Sequence, residues 1–241
     1  MKLKLVFISV LLIFTIKGYS FSFEKDTIIT KEGKELVITF IKHGSLIFEY
    51  DDLIIQVDPV MEYVNYADFP TADIILLTHE HPDHLDSIAI NILSGRTTRL
   101  ITNEACNKIL GKGEIMRNGD IISLKENIHL KAVPAYNTTP EREFYHPKYR
   151  DNGFILNLGG TNVYIAGDTE DIPEMKELTQ IDVAFLPVNQ PFTMTLKQVI
   201  SAARRFYPPI LYPYHYNDTD VSIIKKTLIN DSIDVRIREM Q

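Results

Sequence analysis

Residues 78–86 read THEHPDHLD, and no other stretch of the chain carries as much information. Its histidines and first aspartate form the pattern H-x-H-x-D-H: His79, His81, Asp83 and His84. A solvated turn has no need of three imidazoles, and polar groups crowded at one point require partners. Neutral imidazole nitrogens and a carboxylate oxygen are ligands that a borderline divalent ion such as zinc prefers. The spacing therefore predicts a metal site.

The sequence on either side of this stretch predicts a connection from a strand to a helix. An apolar run over 73–78 precedes it, and an amphipathic stripe over 85–93 follows it. Further strand patterns cover 36–42, 46–50, 53–57, 99–102, 120–124, 128–134, 153–158, 161–166, 181–187, 210–214 and 233–237. Helical patterns cover 104–110, 196–203 after a capping box of Thr195 and Gln198, and 221–228. Strands precede helices in each half, which predicts the α/β class: a four-layer αββα sandwich of two mixed β-sheets with helices outside.

The composition narrows the function classes. The chain has 241 residues, and 25 Lys plus Arg against 32 Asp plus Glu give a net charge of -7. That charge disfavours nucleic acid as a partner. The single cysteine, Cys106, permits neither an internal disulfide nor a cysteine metal cluster. No linker or low-complexity run divides residues 23–241, which predicts one domain.

The N-terminus has the pattern of a secretory signal peptide. Basic residues at Lys2 and Lys4 precede an apolar run over 5–16, and small residues follow up to Ser22. We expect a signal peptide over 1–22, cleaved near residue 20 or 22, and export to the periplasm or the medium. The run is shorter than the roughly 20 residues of a membrane span, so no stable anchor is expected after cleavage. The alternative is an uncleaved tethering helix or an N-terminal strand.

The chain resembles the metallo-β-lactamase superfamily of binuclear hydrolases over its whole predicted mature length. The resemblance rests on Asp58-Pro59, the H-x-H-x-D-H pattern, Gly167-Asp168-Thr169 after a hairpin, and His215 at the end of a late strand. The segments 133–137, 145–148, 166–169 and 212–216 look most like the branch named after L-ascorbate 6-phosphate lactonase. This resemblance implies the metallo-β-lactamase fold.

The resemblance also implies a role for each site residue. His79 and His81 would bind a first metal ion, Asp83 and His84 a second, Asp168 would bridge the two, and His215 would complete the second site. The third ligand of the first ion would be His146 or Asn137, and an imidazole is the better zinc ligand. Asp83 or a second water could pass a proton to the leaving group. His43 has the place of a histidine that lines the active-site rim in similar proteins, or it is a turn residue.

The function implied is metal-dependent hydrolysis. Two divalent ions, zinc with manganese as the alternative, would hold a bridging hydroxide that attacks an ester, lactone or amide bond. Asp168 stands where true metallo-β-lactamases have a cysteine, so antibiotic hydrolysis is not expected. The alternatives are a phosphodiesterase acting on small or lipid phosphates, and a metal-holding protein without catalysis. Three basic residues of the long loop, Arg142, Lys148 and Arg150, either meet an anionic substrate group or are solvated.

Overall fold

Strands and short helices alternate through residues 23–240, which are the residues that this structure, a computed structural model, describes. The strands are β1 (Lys25–Ile29), β2 (Glu35–Lys42), β3 (Ser45–Tyr50), β4 (Leu53–Val57), β5 (Ala72–Leu76), β6 (Ser94–Thr102), β7 (Glu114–Ile115), β8 (Ile121–Lys125), β9 (Ile128–Ala135), β10 (Asp151–Leu158), β11 (Thr161–Ile165), β12 (Val183–Pro187), β13 (Ile210–Tyr214) and β14 (Asp234–Val235). The helices are α1 (Ser87–Leu93), α2 (Glu104–Leu110), α3 (Leu196–Phe206) and α4 (Ser222–Thr227). The predicted signal peptide and its cleavage position lie outside the described residues.

Each half of the chain forms one seven-stranded sheet, and the two sheets follow the same plan. In the first sheet β1 to β4 pair antiparallel and β4 to β7 pair parallel. In the second sheet β8 to β11 pair antiparallel and β11 to β14 pair parallel. The predicted pair of mixed sheets is confirmed.

The two sheets bury a shared apolar core between them. Alternate side chains of a strand point to the same face, and in β2 the inward ones are Leu36, Ile38 and Phe40. They belong to one cluster with Phe154 and Leu156 of β10 in the second sheet. The two sheets pack face to face, as the alternation of apolar and polar residues along their strands predicts.

Helices lie on the outer faces. Asp86 caps α1 by accepting hydrogen bonds from two backbone N–H groups of the first turn, so the helix begins at Ser87 and not at residue 85. Ala89 and Ile90 of its buried side pack in a second, smaller cluster with Ile75 of β5. No helix within residues 23–240 is both long enough and apolar enough to cross a membrane.

On the second sheet, the capping box predicted for Thr195 and Gln198 is present at the start of α3. The helix contacts β11 through Phe206, whose ring centroid lies 5.9 Å from that of Tyr164. The reciprocal cap and the buried stripe explain why this helix could be predicted from sequence.

Two terminal elements differ from the sequence prediction. The sequence does not predict β1, an edge strand of five residues that pairs with β2 from Lys25 opposite Thr39 to Ile29 opposite Glu35. The side chains of β1 are exposed or half-buried and include charged ones, so its sequence lacks the apolar and polar alternation that predicts a strand. The strand predicted over 233–237 is reduced to the two residues of β14.

The carboxyl ends of the central strands meet at one edge of the sandwich. Asp58 follows β4, the histidine motif follows β5, and in the second sheet Asp168 and His215 follow β11 and β13. Loops at such an edge commonly carry the functional groups of α/β proteins. The same plan in both sheets therefore brings sequence-distant polar residues together.

Candidate metal centre

Three histidines form a first group, and one ring nitrogen of each faces the same point: His79, His81 and His146. Nε2 of His79 lies 3.1 Å from Nδ1 of His81, and Nε2 of His146 lies 3.3 Å from that same atom. Ligands at about 2.0–2.1 Å around a tetrahedral zinc ion are about 3.3 Å apart. Two of the three separations therefore match the spacing of such a site, and the three ligand atoms all lie within 4.8 Å of one another.

A second group consists of His43, Asp83, His84 and His215, with one ligand atom of each within 4.8 Å of the others. Oδ2 of Asp83 lies 3.1 Å from Nε2 of His43 and 3.7 Å from Nε2 of His215. The rings of His43 and His215 are in contact, with centroids 3.5 Å apart. The structure thus places His43 inside this group rather than only at a rim.

Asp168 lies between the two groups and contacts both. Its Oδ2 is 3.4 Å from Nε2 of His146 in the first group and 3.2 Å from Nε2 of His215 in the second. Its Oδ1 is 3.4 Å from Nε2 of His84. A buried carboxylate in this position can bridge two cations.

Two residues behind the site set the orientation of its rings. The hydroxyl of Thr78 donates to Oδ2 of Asp58 at 2.6 Å, so its oxygen accepts from Nδ1 of His79 at 3.0 Å. Nδ1 of His84 donates to the same carboxylate oxygen at 2.8 Å. Both rings therefore direct Nε2 to the centre, as metal-binding histidines held by an outer partner do.

The loop after β9 contributes His146 and not Asn137. Nδ1 of His146 donates to the carbonyl of Phe192 at 3.1 Å, which leaves Nε2 facing the first group. The side-chain amide of Asn137 instead donates to the carbonyls of Arg142 and Phe192, at 3.2 and 2.7 Å. Asn137 braces the loop that presents His146.

The backbone around the centre is strained at several points. His43, Asp58 and His215 have φ values of 55°, 42° and 52°, in the left-handed region that costs ordinary residues of order 1–3 kcal/mol. Close packing adds a constraint at Gly44, where a Cβ atom would lie 2.7 Å from Cε1 of His84. Strain of this kind clusters at functional sites.

Burial keeps the first group neutral. Desolvation lowers the pKa of the fully buried His79 well below its ordinary value, and it lowers the pKa of His146 to about 4. The pKa of His81 is lowered for the same reason. These rings are unprotonated at neutral pH, which is the state that binds a metal ion.

In the second group burial lowers the pKa of His43, but His84 and His215 show the opposite shift. Burial opposes the charge on His215, but Asp168 and Asp83 outweigh it and raise the pKa to about 10. Burial likewise opposes the charge on His84, and Asp168 and Asp58 raise its pKa. Burial also disfavours the ionised carboxylate of Asp83, yet the neighbouring rings of His215 and His43 lower its pKa well below the ordinary range. The protons on His84 and His215 therefore balance the negative charge of the nearby carboxylates, and a bound cation could balance that charge instead.

Arg150 joins two parts of the chain that carry the first group. Its guanidinium lies 2.9 Å from Oε1 of Glu80 and donates to the carbonyl of Tyr145 at 2.8 Å. It also makes two contacts, at 2.7 and 2.9 Å, with the carboxylate of Asp151. Glu80 separates the first two histidines of the group, and Tyr145 directly precedes the third. Arg150 therefore ties together the two segments that carry the histidines of the first group.

Sequence reasoning does not single out two residues beside the second group. The ring of Tyr63 lies 5.7 Å from that of His43, and its hydroxyl donates to the carbonyl of Asp83 at 3.4 Å. The amide of Asn189 lies 3.4 Å from Nδ1 of His215. Their only sequence signal is a place in the loops after β4 and β12. His129, the remaining histidine, is exposed on β9, as its position in a strand predicts.

The donor set fits divalent cations. Within residues 23–240, Nε2 of His84, Nε2 of His215 and Oδ1 of Asp168 are buried and have no hydrogen-bond partner. Unpartnered buried atoms of this kind are costly unless something else satisfies them. Nitrogen and carboxylate ligands suit zinc, and the share of carboxylate in the second group also suits manganese.

Residues 37–215 match the beta-lactamase superfamily domain. A UPF0173 metal-dependent hydrolase from Methanosarcina mazei is 33% identical over 201 residues, which cover 78% of this chain and 86% of that protein. A second such hydrolase, from Carboxydothermus hydrogenoformans, is 32% identical over 193 residues, covering 75% of this chain and 84% of that one.

Similar architecture is found among solved structures. A protein from Parabacteroides distasonis, described as a candidate metal-dependent hydrolase, is 59% identical with a TM-score of 0.90 and covers 91% of this chain and 100% of its own. The metallo hydrolase Igni18 from Ignicoccus hospitalis has a TM-score of 0.70 at 24% identity, with coverage of 85% and 95%. The second similarity shows the shared fold.

Proposed function

The chain belongs to the beta-lactamase superfamily and is a metal-dependent hydrolase, and from this premise we propose that it holds two divalent cations and cleaves an ester, lactone or amide bond of a small molecule. The observation that carries the proposal is the position of Asp168, whose carboxylate contacts both the first and the second group. A site for one ion has no need of a carboxylate shared between two separate sets of ligands.

The residues divide between the two cations as follows. The first group would hold one ion, and Asp83, His84 and His215 of the second group would hold the other, with Asp168 shared. Zinc is the first choice and manganese the second. When bound, such a pair lowers the pKa of water towards about 7 and polarises the bond to be cleaved.

The proton needed by the leaving group would come from the pair of His43 and Asp83. Burial lowers the pKa of His43, so its imidazole is neutral and can accept a proton at neutral pH. Nε2 of His43 lies 3.1 Å from Oδ2 of Asp83, whose side chain is 44% exposed and so reachable from solvent. His43 can take up the proton that the attacking water loses, and the pair of His43 and Asp83 can then pass it to the departing group.

Paired charges in the long loop favour an ester, lactone or amide substrate over a phosphodiester. Arg150 is engaged by Glu80 and Asp151, Lys148 by Glu174 at 2.9 Å, and Arg142 donates to the side chain of Gln190. Arg150 and Lys148 are thus already balanced by carboxylates of this chain, which leaves fewer basic groups in the loop to meet the anionic groups of a phosphodiester. An ester, lactone or amide requires no such group.

The proposal is tested with protein loaded with zinc or manganese. It is assayed against p-nitrophenyl acetate, a simple lactone and bis-p-nitrophenyl phosphate, with bound metal counted by elemental analysis. We expect two equivalents of metal and turnover of the ester or lactone in preference to the phosphodiester. Preferential turnover of the phosphodiester would reverse the choice of substrate, and full metal loading without turnover of any of the three would contradict the proposal.

We also propose that the protein acts outside the cytoplasm, on the basis of the leader pattern over residues 1–22. N-terminal sequencing of protein from the native cell tests this. A mature chain starting near residue 21 or 23 is expected, and one starting at Met1 would contradict it.

A further inference from the structure

A cavity of about 880 Å³ lies on the outer face of the first sheet, under the segment that follows β4. This volume is in the range of small-molecule sites. Its walls are mainly apolar and include Phe23, Ile47, Ile54, Val64, Phe69 and Pro70. The cavity is separate from the metal ligands, and none of the functions above uses it.

The base of the cavity carries polar groups that nothing satisfies. Thr39, Ile47 and Gln56 lie side by side on β2, β3 and β4 and all face the cavity. Thr39 and Gln56 are only 2% and 1% exposed. Within residues 23–240, the hydroxyl of Thr39 and both amide atoms of Gln56 have no hydrogen-bond partner. An apolar side chain would suit this position better unless a ligand supplies partners.

Tyr63 connects the cavity to the metal centre. Its side chain lines the cavity, while its ring lies 5.7 Å from that of His43 and its hydroxyl contacts the carbonyl of Asp83. Gln56 also precedes Asp58 by two residues, which is about 7 Å along a strand. The cavity and the second group therefore meet at Tyr63.

The charges around the cavity select against an anion. Lys25 is paired with Glu49 at 3.2 Å, and Asp68 is a further acidic lining residue. The lining residues thus carry one more negative than positive charge. A neutral arm with an amide end matches the apolar walls and the donor and acceptor of Gln56.

We propose that this cavity binds the uncharged, largely apolar arm of the substrate and that Gln56 recognises an amide or similar neutral polar group at the end of that arm. The inference rests on the proposed hydrolysis, and it narrows the substrate class to neutral esters, lactones or amides with such an arm. Gln56 is a specificity-determining residue. Tyr63 contacts the arm in the cavity and lies beside the site of the reacting bond.

The test uses three p-nitrophenyl esters whose acyl arms differ only at the end: hexanoate, adipic acid monoamide and adipate with its free carboxylate. We expect kcat/KM to be about tenfold higher for the amide than for hexanoate, and lowest for the carboxylate. The variant Gln56→Leu should bring the ratio of amide to hexanoate to about one. A surface control, Asn91→Leu, should keep the ratio. An equal ratio in the unmodified protein and in Gln56→Leu would overturn the proposal.

Binding of hexanamide, measured by calorimetry, separates this inference from the proposed function. Gln56→Leu is expected to fold, since Gln56 has no partner to lose within the described chain, and thermal unfolding checks this. We expect hexanamide to bind the unmodified protein about tenfold more tightly than Gln56→Leu. Equal or absent binding would overturn the cavity's role even if esters are hydrolysed. Hexanamide binding without any hydrolysis would contradict the proposed function alone.

Discussion

The first and second groups of side chains lie on either side of Asp168, yet they differ in charge. The first is made of imidazoles alone, and burial lowers their pKa values. The second combines imidazoles with Asp83, and the carboxylates raise the pKa values of His84 and His215. In the first group burial outweighs the attraction of Asp168 and leaves the imidazoles ready to bind metal, whereas at His84 and His215 the carboxylates outweigh burial and hold protons that a metal ion must displace.

The largest effect is expected where the two groups meet. Asp168→Asn keeps the shape of the side chain and removes the shared charge, so both ions should bind weakly and kcat/KM should fall by about 10³-fold or more. Metal content and ester turnover measure this. Asp171→Asn, three residues along the chain and paired with Arg205, is the matched control. Full activity of Asp168→Asn would contradict the claim that the two groups share the carboxylate of Asp168.

Single histidine substitutions should affect one group at a time. His146→Ala should weaken the first ion by about 100-fold and leave the second in place, while His215→Ala should do the reverse. Elemental analysis after dialysis should find one equivalent of metal instead of two in each variant. Loss of both ions from each variant would show that the two groups act as one site.

The pH dependence of metal binding should also differ between the groups. Since the pKa of His215 is raised to about 10, a proton must leave before the second ion binds. Affinity for the second ion should therefore rise about tenfold per pH unit, or about 100-fold from pH 7 to pH 9. The pKa of His146 is about 4, so affinity for the first ion should change little over that range. Competition with a chelator at each pH measures both, and equal slopes would contradict the assignment.

The smallest effect is expected from Arg150→Met. The guanidinium ties Glu80 to the loop of His146, so its loss should weaken the first ion by about tenfold and spare the second. Arg142→Met, in the same loop, is the control. Arg150→Lys should restore little, because lysine cannot make the two-pronged contact with Asp151. A weakened second ion would indicate a general structural defect.

The contacts that residue patterns alone could predict are the local ones, whereas the places of Asp168 and His215 in the site were implied only by the resemblance. His79, His81, Asp83 and His84 lie within six consecutive residues, so their grouping follows from spacing alone. The two sheets and α3 also follow from alternation and a capping box, which act over short distances.

The remaining contacts depend on the path of long loops. Choosing between His146 and Asn137 required the hydrogen bonds of both residues to Phe192, which is 46 residues beyond His146 in the sequence. Arg150 contacts Glu80, which precedes it by 70 residues in the sequence. Tyr63, in the segment after β4, contacts His43 in the turn between β2 and β3. No local pattern encodes such pairs, because they depend on how the two sheets pack.

The most direct test of the two-ion account is a crystal structure of the zinc-loaded protein with anomalous scattering data at the zinc edge. The account predicts two zinc peaks about 3.5–4 Å apart with the carboxylate of Asp168 between them, one beside His79, His81 and His146 and the other beside His84 and His215. A single zinc peak at this centre, or two peaks that do not share Asp168, would contradict it.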